Sequence, residues 1–380
     1  MYLARKLAEW QEAGLLSADA AAAILAHETR QSRPYALYIL GGLGALTIAL
    51  GLVAIVASNW EAIPGGVKLA FDLLLAAALA AGVLAVDRRG IDWLRESLIG
   101  LYAGFVLASI GLVSQVYHLG GATWQAMLLW TGLTAPLVTR ARGSGLATAW
   151  IIGLHITYYL VLVALFEHRS DAEALGLGLA GLPPLLCLAV ASSPGVIRSR
   201  PGFARAFASI GWGEGLVMAS GATFAWYDQP FRTDRDGLLI AAAIALGITG
   251  LVAARAPALA RGHAAAVSPI RALLVLITLI GYGSLAFGAD DLDLVGALAF
   301  LILWGGVAWV GLATHDSRLV SSATALLGIR LIVIYFEVFG SLLDTGLGLI
   351  TGGLLTIGLT WLWARKRRDL TAHFAEGPHR

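Results

Sequence analysis

The sequence predicts an all-α protein: a polytopic transmembrane helical bundle of about twelve spans with a small helical hairpin before it. Three observations predict it. About a dozen apolar runs, each of roughly 18 to 24 residues, follow one another from Tyr35 to Ala364. A hydrocarbon core about 30 Å thick takes about 20 helical residues to cross, so each run is long enough. The composition agrees: 58% of the 380 residues are hydrophobic, 13% are charged, and the mean hydropathy is +0.78. The 46 glycines suit helices that approach closely in lipid. The third observation is charge placement. With the N-terminus in the cytoplasm, 21 of the 26 Lys and Arg fall on the inner side of an alternating twelve-span topology. Four fall outside (Lys68, Arg169, Arg232, Arg235), and Arg330 lies within a span. An even span count with this asymmetry predicts both termini in the cytoplasm.

The elements follow in order. Residues 1–33 read as a cytoplasmic helical hairpin. Leu3, Leu7 and Trp10 stand at helical spacing, and Gly14 ends the helix as a C-cap glycine does. Ser17 is an N-cap for a second helix through about Thr29, with Ile24 and Leu25 on its apolar side. Two roles are open for this hairpin: docking to a membrane or envelope protein partner, or packing on its own chain. No short apolar stretch with a cleavage site precedes the first run, so that run is expected to act as an uncleaved insertion signal. The transmembrane bundle occupies 34–364. Its spans are expected at 35–58, 66–86, 97–116, 122–139, 144–166, 173–192, 204–226, 237–254, 267–287, 292–313, 317–338 and 345–364. Pro183-Pro184 removes two backbone donors near the middle of the sixth span and predicts a break there. Such breaks mark some transporter sites and also occur as plain kinks. Residues 365–380 form a basic tail that opens with Arg365-Lys366-Arg367-Arg368; it reads as a stop-transfer anchor, with a phospholipid-binding patch as the alternative.

Several chemistries have no basis in the residues. The single cysteine, Cys187, excludes an intrachain disulfide or a multi-cysteine metal site, and it reads as a small core residue. No nucleotide-binding, zinc-protease or nucleophile-elbow motif stands in its required context. The sequence points to no cofactor, no metal and no nucleic acid. The lipid bilayer is the expected environment.

Ionisable groups inside spans are costly, and by default they are candidate sites. Three lie near the expected midplane: His155, Glu214 and Arg330. Matching depth and opposite charge predict an Arg330–Glu214 pair, with Glu337 as a second partner. A set nearer the outer surface comprises Asn59, Glu61, Lys68, Asp72, Gln115, His118, Gln125, Glu337 and Asp344. Gly100, Gly104, Ala108, Gly111, Gln115 and His118 recur every three or four residues on one face of the third span. That pattern predicts a close helix contact below and a polar cluster of Asn59, Lys68, Asp72, Gln115 and His118 above. Trp60, Tyr117 and Trp124 fit an interfacial aromatic belt.

Several short motifs resemble one family. They are Glu9-Trp10, Gly14-Leu15-Leu16-Ser17 with Ile24, Ser58-Asn59-Trp60 near Pro64 and Lys68, and Gln115-Val116-Tyr117-His118 with Trp130 and Pro136. Over about residues 1–145 they resemble the bacterial predicted membrane proteins catalogued as domain of unknown function 2157. The resemblance implies a bacterial inner (cytoplasmic) membrane and no specific chemistry. The many spans, the midplane charges and the broken helix favour a transporter or flippase-like permease for a small polar or lipid-linked envelope compound. Two alternatives stand beside it: an integral-membrane envelope enzyme with an outward-facing His118–carboxylate site, and a non-catalytic membrane assembly partner.

Overall fold

The computed structural model describes residues 2–14, 16–31, 47, 63–167, 169, 172–224, 235–286, 293–339, 353–354 and 357–358. No strand occurs among the described residues. The chain forms two compact units, residues 1–71 and 72–380.

In the first unit, α1 (Tyr2–Glu12) and α2 (Ala18–Gln31) lie in contact. Gly14 between them has φ +69°, a left-handed conformation that glycine adopts without a Cβ penalty. Ser17 Oγ accepts the Ala20 N–H at 3.3 Å and caps α2. Leu7 and Ala21 are buried, whereas Trp10 and Ile24 are exposed. The expected apolar side is therefore only partly covered. Of the expected span 35–58, only Thr47 is among the described residues.

Helix α3 (Gly65–Arg89) begins in this unit and continues into the second. The second unit goes on with α4 (Asp92–Val116), α5 (Thr123–Val138), α6 (Ser144–Phe166) and the half-helices α7 (Glu173–Ala180) and α8 (Pro183–Ala191). Then come α9 (Pro194–Ser199), α10 (Pro201–Phe224), α11 (Arg235–Ala254), the single turn α12 (Ala256–Leu259), α13 (Val267–Ala286), α14 (Asp293–Ala313) and α15 (Ser317–Phe339). Eight segments among the described residues are long and apolar enough to cross a membrane: α3, α4, α6, α7 with α8, α11, α13, α14 and α15. Two further expected spans are helices that fall short of that measure. At 16 residues α5 is about 24 Å long, and α10 is diluted by glycines, Arg205 and Glu214. The span 345–364 and the basic tail fall almost wholly outside the described residues.

Large apolar side chains such as Leu74, Leu101, Val217 and Ile302 face outward, as a lipid-embedded bundle requires. The broken segment is the most enclosed. Over the window from Glu173 to Ala191, 56% of residues are buried, against 17% in the windows of α3 and α4. Buried hydroxyl pairs tie neighbouring helices: Thr131 to Thr157 at 2.9 Å and Thr249 to Thr278 at 2.7 Å.

The break itself has a clear chemistry. In an unbroken helix the N–H groups of residues 183 and 184 would bond the carbonyls of Leu179 and Ala180. Both residues are proline and have no N–H. The Tyr158 hydroxyl donates to Leu179 O at 2.7 Å, and that of Tyr159 stands 3.3 Å from Ala180 O. From α13, Tyr282 donates to Gly178 O at 2.7 Å. Neighbouring side chains thus replace the lost helical donors inside the apolar bundle.

Candidate functional site

His155 sits in the middle of α6, and Tyr159 follows four residues later on the same face. Cys187 comes from α8 and Glu214 from α10. The two last helices approach closely because Gly211 has no side chain. A Cβ there would stand 2.8 Å from Pro184 O, 2.9 Å from Leu188 Cγ and 3.0 Å from Cys187 Cβ.

His155 Nδ1 lies 2.8 Å from Ile151 O. A carbonyl oxygen only accepts, so Nδ1 carries a hydrogen and donates it. His155 Nε2 faces Glu214 Oε2 at 3.0 Å, with side-chain exposures of 13% and 19%. The contact is at ion-pair distance, but its alignment falls short of a full hydrogen bond. Tyr159 donates to Glu214 Oε1 at 2.6 Å. Cys187 Sγ stands 3.5 Å from Nε2.

With Nδ1–H committed to Ile151 O, Nε2 faces both Glu214 Oε2 and Cys187 Sγ, so one ring nitrogen stands between a carboxyl group and a thiol. Tyr159 has one hydroxyl hydrogen and two acceptors in reach, Glu214 Oε1 and Ala180 O. His155, Glu214 and Cys187 do not form a metal-holding group.

The expected Arg330–Glu214 pair is not formed. Glu214 turns to α6 instead. Arg330 is 1% exposed, with its guanidinium 4.4 Å from the Phe224 ring centroid and 6.0 Å from that of Phe300. Phe224 is ten residues beyond Glu214, about 15 Å along α10, so Arg330 docks at a different level. The Glu337 side chain, Asn59, Glu61 and Asp344 lie outside the described residues.

The expected outer cluster does not assemble among the described residues of the second unit. Asp72 is buried and accepts the Ser109 hydroxyl at 2.6 Å, while Gln115 and His118 are exposed. His118 has φ +52° and ends α4, with Leu119 N–H bonded to Ser114 O at 3.0 Å. That is the left-handed position of a helix stop, more often filled by glycine. Gln125 Oε1 accepts the Ala122 N–H at 3.1 Å and so caps α5. Lys68 lies in the first turn of α3, in the other unit.

A cavity of about 730 Å³ enters the bundle on a different side of α10. Trp212 and Leu216 line it; Glu214 stands between them in sequence and points away, since each residue turns the helix by about 100°. None of His155, Glu214 and Arg330 lines this cavity.

An ion network closes the same end of the bundle, where the loops α3–α4 and α5–α6 meet. Arg95 is fully buried, 3.2 Å from Asp87 and 2.9 Å from Asp92. Arg140 binds Asp87 at 2.9 Å, and Glu96 accepts the N–H groups of Arg142 and Gly143 at 2.6 and 3.1 Å. Asp87 lies just past the apolar run 66–86 and accepts from both Arg140 and Arg95. Each carboxylate in the network meets a cation or a backbone N–H, so it reads as a structural clasp.

The sequence drew attention to His155 and Glu214 but not to their partners. The spacing of His155 and Tyr159 was the available signal, and so was the paired loss of two donors at Pro183-Pro184.

No curated protein and no solved structure matches the chain. Residues 8–147 match the family described as predicted membrane protein, domain of unknown function 2157, the family that the motifs of that segment resemble.

Proposed function

We propose that the chain is a multi-pass permease of the bacterial inner membrane for a small polar or lipid-linked envelope compound, with the His155–Glu214 pair as its proton-binding element. The observation that carries this reading is the 3.0 Å contact of two titratable groups inside an apolar bundle. Tyr159 couples that contact to the helix break. While Glu214 is ionised, its Oε1 is the stronger acceptor and takes the Tyr159 hydrogen. Protonation of Glu214 weakens that acceptor and frees Tyr159 for Ala180 O at the end of α7. One proton thereby biases two arrangements of α7 and α8, as alternating access requires.

The envelope-enzyme reading needs His118 beside a carboxylate in an outward cleft. Exposed His118 and the engagement of Asp72 with Ser109 speak against it.

Flux in proteoliposomes tests the proposal. Charge movement on a solid-supported membrane is measured while panels of small polar solutes and lipid-linked precursors are applied under an inward proton gradient. The expected result is a gradient-dependent signal with one compound class that Glu214→Gln abolishes while the protein stays folded. Wild-type signals absent from every class, or undiminished in Glu214→Gln, overturn it. The orientation is tested apart. In a Cys187→Ala background of intact cells, an impermeant maleimide is expected to label a cysteine at position 120 and not one at position 90. The reverse pattern refutes both termini being cytoplasmic.

A further inference from the structure

The 730 Å³ cavity has a build of its own. Its walls come from α10, α13 and α14 and from the segments that join their inner ends. Ala208, Trp212, Leu216, Leu273 and Val307 make an apolar interior. From Pro201 at the rim to Leu216 is fifteen residues, ~22 Å along α10. The volume falls within the roughly 300–1,000 Å³ typical of small-molecule sites.

The rim is cationic. Arg205 and Arg261 both line it, and His263 stands beside them. Neither arginine is in an ion pair among the described residues. The one carboxylate at the rim, Asp316, is already used: its Oδ1 accepts the N–H groups of Arg318 and Leu319 at 2.9 and 3.3 Å and caps α15. Arg261 has φ +49° and precedes Gly262 at φ +92°, so a left-handed turn sets this arginine at the rim.

We propose that this cavity binds an anionic membrane amphiphile, with its acidic headgroup at Arg205 and Arg261 and its acyl chain along Trp212 and Leu216. A free inorganic anion would use only the rim and leave the apolar interior unmatched. An uncharged chain would leave two guanidinium groups without a counter-charge. A basic pocket between helices at the inner face suits an acidic lipid. The site is separate from the His155–Glu214 pair, and the inference holds whether or not the chain transports anything.

Binding is measured on the full chain in a non-ionic detergent, by native mass spectrometry and by titration of the thermal midpoint. The probes are lysophosphatidylglycerol, lysophosphatidylcholine and inorganic phosphate. One saturable lysophosphatidylglycerol per chain is expected, bound roughly tenfold more tightly than lysophosphatidylcholine. The double variant Arg205→Gln/Arg261→Gln should erase that preference without moving the ligand-free midpoint, because both side chains are exposed. Ala208→Phe should weaken both lipids, since it fills the channel for the chain. Equal affinity for the two lipids, phosphate that competes as well as the lipid, a preference that survives in the double variant, or no saturable binding to folded protein each overturns the proposal.

Discussion

Replacing Glu214 by alanine is expected to lower the unfolding free energy by about 2 to 3 kcal/mol. The change removes the acceptor of the Tyr159 hydroxyl and the partner of His155 Nε2 at once. Both groups stay behind in an apolar bundle where water replaces the carboxylate poorly. Glu214→Gln keeps the shape and one acceptor oxygen, so its loss should be smaller. In a double-mutant cycle with Tyr159→Phe, the coupling should exceed about 0.5 kcal/mol. Chemical denaturation in mixed micelles reads these differences. A Glu214→Ala protein as stable as the wild type would show that the carboxylate is not held as described.

Gly211→Ala should destabilise by about 1 to 3 kcal/mol. The added Cβ would meet the Pro184 carbonyl at 2.8 Å, a backbone atom that cannot turn aside. Helix α10 must then move off α8 and carry Glu214 with it, so function should fall alongside stability. The matched control is Gly213→Ala, two residues on. A Cβ there meets nothing within 4 Å. That change should be neutral or stabilise by up to about 1 kcal/mol, the ordinary helical gain of alanine over glycine. Equal thermal midpoints for the two variants would refute the close α8–α10 contact.

Length and apolarity were legible in the sequence because they are one-dimensional. Every expected run from 66 to 338 falls on a helix, and the break at Pro183-Pro184 lies where the missing donors demand it. Arg330 is buried, and His155 and Glu214 are partly buried against each other. Rotation was not legible. These helices are apolar nearly all round, so little in their pattern says which face meets which neighbour. Depth alone paired Glu214 with Arg330, whereas the fold turns Glu214 to His155 and lays Arg330 on Phe224. Of the outer set, Gln115 and His118 are exposed among the described residues. His118 is spent on ending α4, a backbone role that its side-chain chemistry conceals. The cavity gathers its lining from segments more than a hundred residues apart, from Ala191 to Leu319, which no spacing rule could join.

Whether Glu214 exchanges a proton, and whether Tyr159 passes that change to the helix break, is measured most directly by infrared difference spectroscopy. The protein is reconstituted in lipid and stepped between acidic and alkaline pH. The expected spectrum contains a protonated-carboxyl band that Glu214→Gln removes, together with an amide change from α7 and α8 that Tyr159→Phe suppresses. A carboxyl band unchanged in Glu214→Gln, or no pH-dependent carboxyl signal from the folded wild type, would contradict a proton-binding role for this pair and leave it a packing tie.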